Sequence, residues 1–171
     1  MELLLKMNLK NAVERVLHVK GNYSGGILEM TLVVDCGLPQ EYVCRMAADI
    51  AATLRSHSEV FRNVRLNLLF WWSDEKLENQ VIPISFLQLG KCFENYIPKR
   101  QEKTLDVLSD RLKLLHARSK LILVLADEKM KILDREAAKK NMHPFLGKKS
   151  IFLYRNDPDM KWRSWTEGLY G

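Results

Sequence analysis

Apolar residues recur along this chain with two spacings, and each spacing predicts a different element. Ile27 to Asp35 is an apolar, β-branched run that ends on a carboxylate, which predicts a buried strand. Cys36-Gly37-Leu38-Pro39-Gln40 breaks that run. A helical stripe of Val43, Met46, Ala47, Ile50, Ala51 and Leu54 follows, predicting a helix from Glu41 to about His57. Val64 to Trp72 predicts a second buried strand, and Ser73-Asp74-Glu75-Lys76 a turn. Gln80 to Leu87 predicts a third strand, which Pro83 confines to a sheet edge.

Leu89 to Cys92 predicts a loop before helical spacing returns over Gln101 to Arg118, with Leu105, Leu108, Leu112 and Leu115 on one stripe. Lys120 to Ala126 predicts another deeply buried strand, followed by Asp127. A charged helix over 129–141 and a short strand over Ser150 to Tyr154 complete the pattern. Residues 8–20 suit either a helix or one arm of a hairpin. The aromatic tail, 156–171, predicts packing within the chain.

Strands that alternate with helices predict a single α/β domain, a three-layer α/β/α sandwich around a doubly wound, mostly parallel sheet. Its core spans about 27–155. In such sheets ligands bind beyond the carboxyl ends of the strands, where Asp35 and Asp127 both stand.

Composition narrows the function classes. A 47% hydrophobic share over 171 residues suits one globular domain and argues against chain-wide disorder. The net charge of +6 leaves nucleic acid open as a partner, although no Arg-rich tract or aromatic ladder accompanies it. Three cysteines without a paired CxxC spacing argue against a disulfide framework or structural zinc. The opening residues carry too short an apolar run for a signal peptide, and no run is long enough to span a membrane. A reduced, cytoplasmic protein is the expectation.

Cys36 precedes a helix N-terminus, a position that lowers a thiol pKa, but no motif ties one of the four histidines to it as a base. A small packing residue is the competing reading. Gly25-Gly26 and Gly37 form no phosphate-binding loop. Asp35 and Asp127 each suit either a ligand or a cap on the helix that follows.

With these residues in place, the chain resembles the von Willebrand factor A domain. The first-strand motif of that family, Asp-x-Ser-x-Ser, stands here as Asp35-Cys36-Gly37-Leu38-Pro39, so both serines are replaced. Leu123 to Glu128 is similar to the fourth-strand motif, with Asp127 in place, and Leu69 to Asp74 to the second-strand ending. The middle loop offers Leu89-Gly90-Lys91 and no threonine. The resemblance implies a degenerate metal-ion-dependent adhesion site, with Asp35 and Asp127 as the ligands left for Mg²⁺ or another divalent cation. It also implies a non-enzymatic module that binds a protein partner at the edge carrying Asp35, Cys36, Gly37, Gly90, Lys91, Asp127 and Glu128. A small Rossmann-like hydrolase or nucleotide-binding enzyme using the same pocket is the alternative.

Overall fold

The computed structural model describes residues 28–55, 64–115, 118–126, 140, 151–155 and 163–164. The described elements are β1 (Leu28–Asp35), α1 (Gln40–Arg55), β2 (Val64–Trp71), β3 (Leu77–Ile82), α2 (Ile84–Leu89), a 3₁₀ turn (Lys91–Phe93), α3 (Leu105–Leu115), β4 (Leu121–Leu125), β5 (Ile151–Arg155) and β6 (Arg163–Ser164). They form a mixed α/β structure. The strands make one sheet in the order β3-β2-β1-β4-β5-β6. β1 pairs in parallel with β2 and β4, and β4 with β5, while β3 and β6 run antiparallel to their neighbours.

Alternation along β1 sends its apolar residues to both faces of the sheet. Met30, Leu32 and Val34 pack in one buried cluster with Met46, Ala47 and Ile50 of α1. Val33 points the other way. It packs in a second cluster with Leu105, Leu108 and Leu112 of α3. The sheet is thus packed on both faces. The same alternation separates the two neighbouring indoles. Trp71 is fully buried in the second cluster, whereas Trp72 is half-buried against the first.

Three features differ from the sequence pattern. Pro83 ends β3 with extended backbone and caps α2, so residues 84–87 are helical where a strand was expected. Helix α3 begins at Leu105, later than Gln101. The reason is local: Asp74 accepts hydrogen bonds from the Thr104 backbone N–H at 2.9 Å and hydroxyl at 3.2 Å. Thr104 Oγ1 in turn accepts from the Val107 N–H at 3.4 Å, as an N-cap does. Leu115, expected on the buried stripe, is instead exposed.

No described helix is long and apolar enough to cross a membrane. The helix-or-strand question at 8–20, the helix expected over 129–141 (apart from helical residue 140), and Trp162 and Trp165 lie outside the described residues.

Candidate functional site

The chain leaves β1 toward two sides of the sheet: β2 and β3 lie on one side, β4, β5 and β6 on the other. The carboxyl end of β1 is therefore a switch point, where open α/β sheets place a ligand crevice. Here that end is covered. The segment from Phe93 to Lys103 crosses it, held by a hydrogen bond from the Lys99 N–H to the Cys36 carbonyl at 2.8 Å. The Tyr96 hydroxyl donates to the Leu38 carbonyl at 2.6 Å, and Gln40 Nε2 donates to the Phe93 carbonyl at 2.7 Å.

Beneath this cover lies a buried ion pair. Lys103 Nζ sits 2.7 Å from Asp35 Oδ1, with the two side chains 4% and 2% exposed. The same carboxylate oxygen accepts the Gly37 N–H at 2.9 Å, and Lys103 Nζ also donates to the Gln101 carbonyl at 3.0 Å. A low-dielectric site makes an unpaired carboxylate expensive, and each of these contacts offsets that cost. Gly37 permits the arrangement by its size. A methyl group there would stand 3.3 Å from Asp35 Oδ1 and 3.7 Å from the Arg100 backbone.

The residues expected at an open edge separate under this geometry. Asp35 and Cys36 are buried rather than accessible, because the 93–103 segment lies over them. Gly37 and Gly90 are half-buried, and Lys91 is exposed. Gly90 has φ of +69° and closes α2, a left-handed position that glycine occupies without strain. Asp127 and Glu128 lie outside the described residues. Lys103 escaped the sequence reading because it fell inside a stretch patterned as helix. The Pro98 break and the Asp74–Thr104 cap are the signals that could have placed it in a loop.

No protein-family model, curated protein or solved structure matches this chain. The chemistry of the site therefore rests on its own residues.

A divalent cation such as Mg²⁺ needs several oxygen ligands in near-octahedral array. Gly37 and Pro39 supply no side-chain oxygen, and the Lys103 ammonium already sits 2.7 Å from Asp35 Oδ1. Among the described residues no three His, Cys, Asp or Glu side chains converge. The described part of the site fits an internal ammonium and does not fit a metal ion.

Nor does Cys36 suit nucleophilic chemistry. Burial pushes its thiol far above the ordinary range, and the neighbouring Asp35 charge raises it further. Its Sγ points back to the Val34 carbonyl at 3.5 Å. Burial likewise raises the Tyr96 hydroxyl and pushes the Cys92 thiol up to about 11. Native-state alkylation followed by mass spectrometry checks these differences. Cys92 is expected to react faster as pH rises toward about 11, because its thiolate forms only there. Cys36 is expected to stay unmodified until the protein unfolds.

Proposed function

We propose that this chain is a non-enzymatic, cytoplasmic protein-interaction module with a three-layer, von Willebrand A-like fold, whose strand-end site works without a metal. The observation that carries this reading is the buried Lys103–Asp35 pair at 2.7 Å, which puts a side-chain cation where the resemblance implies a metal. The strand order β3-β2-β1-β4-β5-β6, with β3 antiparallel at the edge, supports the doubly wound fold. The raised Cys36 thiol and the covered end of β1 weigh against the hydrolase alternative. Three free cysteines suit a reducing compartment.

Thermal melting of the full chain, with partner capture in parallel, tests the reading. The melting temperature is expected to be unmoved by Mg²⁺, Mn²⁺ or nucleotides, since only a ligand that binds the folded state shifts it. Protein partners held by the tagged chain are expected to stay bound in chelator. A nucleotide-dependent rise in melting temperature would favour the enzyme. A rise that needs Mg²⁺ or Mn²⁺ would favour a working cation site, and binding that falls steeply with salt would favour nucleic acid.

A further inference from the structure

β3 ends the sheet, and no strand of the described residues pairs with its outer side. Arg111 caps the Leu77 carbonyl at 3.4 Å, and Glu78, Asn79, Gln80 and Val81 beyond it are exposed. Natural edge strands are commonly blunted by lysine, proline or a bulge. Lys76 and Pro83 bracket β3, Glu78 is the one charge inside it, and its register with β2 is unbroken from Leu77 to Ile82. Such an edge can accept one more strand.

A cavity of about 310 Å³ opens beside it. Phe70, Trp72 and Tyr96 give it aromatic walls, with Phe70 and Trp72 stacked at 6.4 Å and Trp72 tilted on Tyr96 at 5.8 Å. Glu78, Gln80 and Asn95 add four side-chain oxygens as acceptors, two of them on the Glu78 carboxylate. Glu78 and Gln80 are alternate residues of β3, so they share one face. A strand added at this edge would set its own side chains about 5 Å from theirs, within reach of the cavity.

Aromatic faces beside a carboxylate and two amide oxygens complement a guanidinium, which stacks flat and donates in its own plane. The protein already shows the pattern in miniature. Lys76 Nζ lies 5.4 Å from the Trp72 ring centroid and 3.4 Å from Glu78 Oε1. That lysine is 61% exposed, so an incoming cation displaces it at little cost. Lys91, the cation that lines the cavity, has its Nζ over the Phe86 ring at 5.7 Å.

We infer that β3 and this cavity dock an extended, arginine-bearing peptide segment of a protein partner, which adds a strand to the sheet and seats its arginine between the aromatic rings and Glu78. The inference rests on the interaction-module reading and names its docking surface. A second copy of this chain is the poorer occupant. Pairing of two β3 strands about a twofold axis normal to the sheet would set Glu78 and Gln80 of each copy beside the same residues of the other, and the lysine on that face, Lys76, lies beyond the end of the strand.

Fluorescence anisotropy of the full chain with a short labelled peptide of alternating threonine and valine and one central arginine tests this. The arginine peptide is expected to bind. Binding is expected to weaken about tenfold with alanine in place of that arginine, in Glu78→Gln protein, and on N-methylation of alternate peptide nitrogens. Trp72→Phe, which keeps a ring, is expected to retain binding better than Trp72→Ala. The inference is overturned by no binding, by equal affinity for the arginine and alanine peptides, or by indifference to N-methylation. A dimer in sedimentation that Val81→Lys dissolves would overturn it in favour of the second copy. Should the peptides fail while chelator-resistant partner capture persists, the docking mode falls and the interaction reading stands.

Discussion

Replacing Lys103 with methionine is expected to lower the unfolding free energy by about 3–5 kcal/mol, the usual penalty for stripping one partner from a buried ion pair. Methionine keeps most of the apolar stem, so the loss reports the charge rather than a cavity. In the variant the Asp35 carboxylate keeps the Gly37 N–H at 2.9 Å but loses the ammonium at 2.7 Å, in a site almost closed to water. Urea denaturation followed by circular dichroism measures the loss. The exposed pair of Lys76 and Glu78, with side chains 61% and 51% accessible, provides the contrast. Lys76→Met is expected to change stability by no more than about 1 kcal/mol, because water screens and solvates both charges.

Leu32→Ala is expected to cost about 2–5 kcal/mol, through lost transfer energy and the cavity left behind. Leu32 is fully buried at the middle of β1, in register with Leu68 on one side and Leu123 on the other. Those neighbours belong to strands fixed from both directions, so the gap cannot close by a local shift. Leu115→Ala serves as the control. That side chain is 60% exposed, and its truncation is expected to fall within about 0.5 kcal/mol. Equal m-values in urea for both variants and the parent would show that the unfolded reference is unchanged.

What could be read from sequence followed the strength of the pattern. β4 and the later halves of β1 and β2 are nearly continuous apolar runs because apolar clusters bury them on both faces, and α1 carries a clean stripe because one face meets the sheet. α2 was hidden because Ile84 to Leu89 is apolar without length, and proline there reads as an edge strand as readily as a helix start. β6 is two residues long and owes its place to pairing with β5, a tertiary fact with no local signature.

The candidate site was legible by half. A strand ending on Asp35 marks the right edge of the sheet, yet the partner of that carboxylate comes from a position 68 residues later. A pattern of hydrophobic spacing says nothing of where a lone lysine reaches. Lys103 arrives at β1 because Thr104 and Asp74 fix the start of α3 and because Lys99 bonds the Cys36 carbonyl. Its side chain then runs inward under cover of its own loop. The metal expectation also drew on Asp127, which lies outside the described residues.

Under the proposed reading, Lys103 rather than a bound cation neutralises Asp35. A double-mutant cycle of the parent, Asp35→Asn, Lys103→Met and the combined variant, measured by urea denaturation in chelator, tests it most directly. The account predicts a coupling energy of about 2 kcal/mol or more, with the combined variant recovering much of the stability that either single change removes. A coupling below about 0.5 kcal/mol, as exposed ion pairs give, would contradict it.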